Sequence, residues 1–160
     1  MIQAEVALER LLPIDAEVLW QGVQGYVTAR DNILPPLKNI VTLPYPEDVS
    51  ENHIILDGHH TAKAARIRGL VAVRASVITE DAELAEFISR ERNWYPWQAL
   101  GSKGLLRLHY RTDWAVRMEA RGVQTIDDVP EVIHEPRSYR RPHDLMSIPV
   151  DRNGRPLKTT

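Results

Sequence analysis

The stretch 54-IILDGHHTAKAARIRGL-70 decides the fold of this chain, because it has the pattern of a strand, a tight turn and a helix. The apolar run at 54–56 is typical of a buried strand, and Asp57-Gly58 is a turn sequence. An alanine-rich helix follows and is expected to end at Gly69. The free N–H groups at the start of that helix carry the positive end of its dipole, so the pattern predicts an anion site.

The predicted anion is a phosphate or a carboxylate. Histidine can donate a hydrogen bond to phosphate in either protonation state, which favours His60 for direct contact. A zinc site that uses His53 together with the motif is disfavoured, since two adjacent histidines rarely both face one ion. No metal ligands are predicted. The predicted phosphate- or nucleotide-binding residues are Asp57, Gly58, His59, His60, Thr61 and Lys63.

The order Asp-Gly-His-His, small-residue helix, Gly-Leu stop and Val-Ala-Val-Arg strand resembles the ParB/sulfiredoxin superfamily. The segments 11–14 and 34–43 resemble the strands that precede the motif in that superfamily, so the resemblance covers residues 5–80. Thr61 stands where the superfamily usually has an arginine that contacts phosphate. The resemblance implies an α+β fold with a small mixed sheet and helices in a domain spanning 1–92, and a nucleotide phosphate held at the motif.

Members of the superfamily include nucleotide-dependent DNA-partitioning clamps, ATP-dependent sulfinic-acid reductases and an ADP-dependent kinase of free serine. The resemblance therefore implies binding of a nucleotide (ATP, ADP or CTP) or a phosphorylated small molecule, with Mg²⁺ if the protein is catalytic. Phosphotransfer and ATP hydrolysis are the enzymatic options. The chain has no cysteine, which excludes the reductase branch. Glu17, Asp31 and Asp57 are candidate general bases, and no catalytic residue is assigned.

Two other functions stay open. A DNA-associated partition or regulatory protein would need a recognition helix, and residues 80–133 predict helices without a convincing one. A non-catalytic binding module with a degenerate pocket is supported by the threonine at position 61. Such a module would keep the fold of the superfamily while binding phosphate weakly.

The composition is typical of an ordinary globular protein. The chain has 160 residues, of which 43% are hydrophobic, and a net charge of -2. No apolar run approaches the roughly 18 residues of a membrane helix, and no signal-peptide pattern is present. We therefore expect a cytoplasmic protein with no membrane partner, and a homo-oligomer remains an option.

Periodicity predicts the elements around the motif. Strands are expected over residues 5–12, 39–45 and 70–78, with 39–45 paired to the motif strand as a hairpin. Helices are expected over 16–30, from Thr79 to about Arg92, and over 105–121, and 126–133 is read as a short helix or turn. Residues 93–160 are predicted to be a helical extension with a proline-rich tail, irregular from Glu135 and partly disordered over the last ten residues.

An aromatic cluster, Trp94, Tyr95 and Trp97, opens this extension, and Trp114 follows. The favoured interpretation is that the rings pack the extension onto the motif domain or onto a second subunit. The alternative is a nucleic-acid surface on which the rings stack with bases. That surface would use the basic residues Arg90, Arg92, Lys103, Arg107 and Arg111.

Overall fold

A computed structural model gives the fold of residues 1–136 and 145–157. The strands are β1 (Ile2–Ala7), β2 (Leu11–Leu12), β3 (Val18–Leu19), β4 (Ile40–Tyr45), β5 (Asn52–Asp57), β6 (Ala72–Val77), β7 (Glu131–Pro136) and β8 (Leu145–Pro149). The helices are α1 (Trp20–Val27), α2 (His59–Ile67), α3 (Asp81–Glu91), α4 (Lys103–His109) and α5 (Ala115–Ala120). A π-helical turn, Tyr110–Trp114, joins α4 to α5, so this part of the chain is one continuous helix.

The main sheet has five strands in the order β1-β6-β4-β5-β2. It is mixed, because β1–β6 and β4–β5 are antiparallel whereas β4–β6 and β2–β5 are parallel. This arrangement confirms the predicted α+β class with a small mixed sheet. It also confirms that the strand ahead of the motif pairs with the motif strand.

The predicted strand, turn and helix of the motif are confirmed. Strand β5 buries Ile54, Ile55 and Leu56 completely. Gly58 then turns the chain with a φ of 114°, and α2 begins at the next residue. After α2, Gly69 adopts a φ of 78°, which is the left-handed conformation expected at the end of a helix.

Alternation along β5 directs side chains to both faces of the sheet, which separates two hydrophobic cores. One core lies between the sheet and α2 and includes Ile55 with Ala62 and Ala65. The other lies between the sheet and α3 with the helix 103–120, and it includes Ile54 and Trp97. Both cores contain residues from either side of position 92. The division into a 1–92 domain and an extension stays a prediction.

A second sheet, with the order β3-β7-β8, corrects three sequence expectations. The helix expected over 16–30 begins only at Trp20, because residues 18–19 pair with β7. The expected helix or turn at 126–133 is a short 3-10 helix at 126–128 followed by β7. The tail is not irregular from Glu135, because β7 and β8 form an antiparallel hairpin.

Prolines are compatible with this hairpin because of where they lie. Pro136 ends β7, and Pro149 ends the edge strand β8, where a missing N–H donor is tolerated. Residues 151–157 form a turn closed by the bridge between Val150 and Pro156. Residues 137–144 and 158–160, which belong to the predicted irregular tail and disordered terminus, lie outside the described residues. Within the described part of the chain, no helix is long and apolar enough to span a bilayer.

Candidate functional site

The start of α2 carries the predicted anion site. Gly58 precedes the helix, and a Cβ atom there would lie 2.3 Å from Cγ2 of Ile40 as well as requiring an unfavourable φ. No side chain caps the helix, and its first intrahelical bond runs from Ala62 N to Gly58 O at 2.9 Å. The N–H groups of residues 59–61 therefore have no partner within the helix, as the first turn of any helix requires.

His59 is buried, with 2% of its surface exposed. Its Nε2 accepts hydrogen bonds from the backbone N–H groups of Ile14, at 3.0 Å, and Asp15, at 3.3 Å. Its Nδ1 lies 3.3 Å from Oδ2 of Asp15. Burial lowers the pKa of His59 to about 4, although the nearby Asp15 carboxylate acts in the opposite direction. His59 is therefore neutral at pH 7, with its proton on Nδ1, and it holds residues 14 and 15 against α2.

His60 has a comparable structural role. Its Nε2 accepts a hydrogen bond from the backbone N–H of Leu19 at 3.0 Å. The ring packs on α1 at Gly22, where a Cβ atom would lie 2.4 Å from the ring Cδ2. Burial lowers the pKa of His60 as well. Since Nε2 accepts, the neutral ring carries its proton on Nδ1, which is a donor without a partner among the described residues.

Thr61 is buried, and Lys63 points away from the start of α2. The Lys63 ammonium donates to the carbonyl oxygens of Ile126, at 3.4 Å, and Asp127, at 3.2 Å. Burial lowers the pKa of Lys63, opposed by the charges of Glu131 and Asp127. Lys63 thus ties α2 to the turn at 126–128, and its contact with phosphate stays a prediction.

Arg92 is a site residue that the motif did not reveal. Its guanidinium lies 4.0 Å from Oδ1 of Asp57 and donates to the carbonyl oxygen of Leu56 at 3.1 Å. It also covers the ring of Trp97, 5.1 Å from the ring centroid. A cation from the end of α3 is therefore held beside the turn that starts α2, which the sequence separation of 35 positions concealed.

A cavity of about 350 Å³ adjoins this turn. One wall is formed by residues 14–17 and the other by Trp97 and the end of the helix 103–120. Asp15 and Arg92 link the cavity to the motif, because the first contacts His59 and the second contacts Asp57. The ionic and aromatic lining residues are Asp15, Glu17, Arg92, Arg117, Arg121, Trp94, Trp97 and Trp114.

The three candidate bases are in different surroundings. Glu17 lines the cavity, where its Oε1 accepts a hydrogen bond from Ser147 and lies 3.4 Å from Nε2 of His134. Asp57 is held by Arg92. Asp31, with a φ of 53°, is an exposed residue of the tight turn between Arg30 and Ile33. Glu17 is therefore the candidate base that the fold places in a cavity.

The aromatic cluster divides into buried and exposed rings. Trp97 is 5% exposed and packs 5.0 Å from the half-buried Trp114, which confirms the packing hypothesis for these two rings. The hypothesis is wrong for Trp94 and Tyr95, which are 55% and 81% exposed. Exposure follows from position, because these two residues lie in the loop between α3 and the 3-10 helix at 97–100.

Three of the five cations of the alternative nucleic-acid surface make tertiary contacts. Arg92 contacts the turn as described, and Lys103 and Arg107 bind Asp48 at 3.0 and 2.7 Å. Lys103 and Arg107 also donate to the carbonyl oxygens of Thr79 and Pro44. These contacts dock the helix 103–120 on the sheet, and DNA as a partner stays a prediction.

Within residues 1–136 and 145–157, no three His, Asp or Glu side chains are grouped as a metal site would require.

Neither a protein-family model nor a curated protein sequence matches the chain. Two crystal structures are similar to it. Protein Atu1540 from Agrobacterium tumefaciens is 16% identical with a TM-score of 0.47, over 82% of this chain and 62% of that one. The C-terminally truncated chromosome-partitioning protein ParB from Caulobacter crescentus, complexed with CTP-gamma-S, is 16% identical with a TM-score of 0.34, over 68% and 74%. The chain thus spans less than two thirds of the Agrobacterium protein.

Proposed function

We propose that the protein binds a nucleotide or another phosphorylated small molecule, with its phosphate at the start of α2. The observation that carries the proposal is an uncapped helix start beside a cavity that an arginine lines. Unpaired N–H groups at the positive end of a helix favour an anion, and the adjoining cavity provides room for the rest of the ligand.

The proposed phosphate contacts come from the main chain and from side chains of the first turn. The N–H groups of residues 59–61 donate, and Nδ1–H of His60 and the Thr61 hydroxyl add neutral donors. We infer that Arg92 supplies the cation at this site, replacing the arginine that the ParB/sulfiredoxin resemblance leads one to expect at position 61. Asp57 holds that guanidinium beside the turn.

Isothermal titration calorimetry with ATP, ADP, CTP and tripolyphosphate, each with and without Mg²⁺, tests the proposal. The informative variant is His60→Gln. A glutamine side chain can place an oxygen where Nε2 accepts from Leu19, but it lacks the Nδ1–H donor. We expect its affinity to fall about tenfold, or roughly 1.4 kcal/mol, in line with the loss of one hydrogen bond to a charged group.

The control is Lys38→Ala, which removes an exposed cation away from the site. Its affinity should equal that of the wild type. If none of the four polyphosphates binds at millimolar concentration, the proposal is wrong. If they bind equally well to His60→Gln and to the wild type, His60 is not a ligand contact.

We propose further that any phosphotransfer or hydrolysis uses Glu17 as the base, because it is the candidate carboxylate that lines the cavity. Phosphate release from ATP and CTP should then be reduced at least about a hundredfold in Glu17→Gln, within the usual contribution of a general base. Binding without phosphate release in the wild type would instead favour the non-catalytic binding module.

A further inference from the structure

We propose that the cavity beside the motif binds the base and sugar of the nucleotide, and that it prefers a base carrying an exocyclic amino group. This inference rests on the proposed function, because it assigns the part of the ligand that extends from the phosphate. It concerns residues of the extension, Trp94 to Arg121, together with the wall at 14–17. The argument depends on the volume, the aromatic rim and the charges of the cavity.

The volume and location fit one nucleoside. A cavity of about 350 Å³ is at the small end of the range of roughly 300–1,000 Å³ found for small-molecule sites. Its wall residue Asp15 contacts His59, the first residue of α2. A ligand whose phosphate is bound at the helix start therefore needs to extend only into the adjoining cavity to bury its base.

The rim of the cavity offers an aromatic surface for stacking. Trp97 is covered on one side by Arg92 and lies against Trp114, so its ring is already packed. Trp94 is different, because it lines the cavity yet is 55% exposed and meets Trp97 only in an edge contact with centroids 6.5 Å apart. An open indole at a cavity mouth is suited to stack on a planar ring, and every base has such a face.

The carboxylates in the cavity give the preference for an amino group. Asp15 uses Oδ2 near His59, and its Oδ1 has no partner among the described residues. Glu17 is held through Oε1 by Ser147 and His134. Ionised carboxylates only accept hydrogen bonds, so they pair with the amino group of adenine or cytosine and are repelled by the carbonyl oxygen of hypoxanthine or uracil at the same position.

Arginines on the opposite wall complete the site. Arg117 is bound by Asp113 at 2.9 Å, whereas Arg121 has no ion-pair partner within the described residues. Both lie at the end of the helix 103–120 and line the cavity. Their guanidinium groups offset the two carboxylates and can donate to the ribose hydroxyls or to ring acceptors of the base.

Two ligand pairs test the preference by calorimetry, ATP with ITP and CTP with UTP, because each pair exchanges only an amino group for a carbonyl. We expect the amino-bearing member of each pair to bind at least about tenfold more tightly. ATP and CTP should also bind more tightly than tripolyphosphate, which lacks a base. Asp15→Asn and Glu17→Gln exchange an acceptor for a donor, so at least one of them should abolish or reverse the preference.

Matched variants locate the base in the cavity. Trp94→Ala should weaken ATP binding about tenfold or more, whereas Tyr95→Ala, the exposed neighbouring ring that does not line the cavity, should not. Arg121→Gln should weaken binding, and Arg111→Gln, an exposed arginine on the same helix, should not. Neither Trp94→Ala nor Arg121→Gln should alter the affinity for tripolyphosphate.

Equal affinities within both nucleotide pairs, or an unchanged affinity of Trp94→Ala for ATP, would overturn the inference. If tripolyphosphate binds as tightly as ATP, the proposed phosphate site stands and the base site is wrong. If neither tripolyphosphate nor any nucleotide binds, both the proposed function and this inference are wrong.

Discussion

The buried histidine of the motif should make the protein sensitive to acid. In the folded protein burial lowers the pKa of His59 from 6.5 to about 4, and in the unfolded chain the ring is solvated and recovers its usual pKa. Between these values the unfolded state binds more protons than the folded state. The free energy of unfolding therefore falls as the pH falls from 6.5 to 4, and it is restored above pH 6.5.

The size of the effect follows from the difference in pKa. Each pKa unit corresponds to 1.36 kcal/mol, so His59 should remove about 3 kcal/mol of stability across this window. Part of the reason is geometric, because Nε2 accepts from Ile14 and Asp15 and a proton there would replace an acceptor by a donor. The Asp15 carboxylate near Nδ1 lessens the penalty, whereas Arg92 increases it.

Urea unfolding at several pH values between 4 and 7 measures the effect, with His59→Gln as the comparison. Glutamine can offer an acceptor near the position of Nε2 but does not titrate. His53 and His60, whose pKa values burial also lowers, are present in both proteins, so the difference between the two curves isolates His59. Parallel curves for the wild type and His59→Gln would refute the reasoning.

Three further substitutions test the fold. Trp97→Ala should lower the free energy of unfolding by about 3–5 kcal/mol because its ring is buried, whereas the exposed Tyr95→Ala should change it by less than about 0.5 kcal/mol in the same urea assay. Gly58→Ala should cost about 2–4 kcal/mol, through strain and the close approach of a β4 side chain, and more than Gly69→Ala, where no atom lies within 4 Å of the added Cβ. Lys63→Met should lower stability by about 1–2 kcal/mol by freeing two carbonyl oxygens, with an unchanged free energy of unfolding as the contrary result.

Local signals made the motif predictable. The run at 54–56, the turn glycine at 58 and the stop glycine at 69 each act within a few residues of their own position, and the structure has all three as expected. The hairpin β7–β8 was missed for the opposite reason. Its prolines argue against a strand in isolation, and only the pairing partners show that they occupy the end of one strand and the end of an edge strand.

The cavity could not be predicted from the sequence because its walls are far apart along the chain. Asp15 and Arg121 come together only through the docking of the helix 103–120 onto the sheet. Lys103 and Arg107 accomplish part of this docking by binding Asp48, and Trp97 buries the apolar part. A cation that looked available for nucleic acid was in this way used to assemble the fold. Sequence composition does not distinguish the two uses.

The two motif histidines have a consequence for how the proposed ligand site is organised. Adjacent histidines were read as ligand contacts, yet each Nε2 accepts from the backbone of the segment 14–19. That segment supplies the cavity wall that holds Asp15 and Glu17. The same turn therefore presents the helix N–H groups to the phosphate and fixes the carboxylates that face the rest of the ligand. A change that loosens either histidine should consequently weaken both ends of the site together, since no independent element positions that wall against α2.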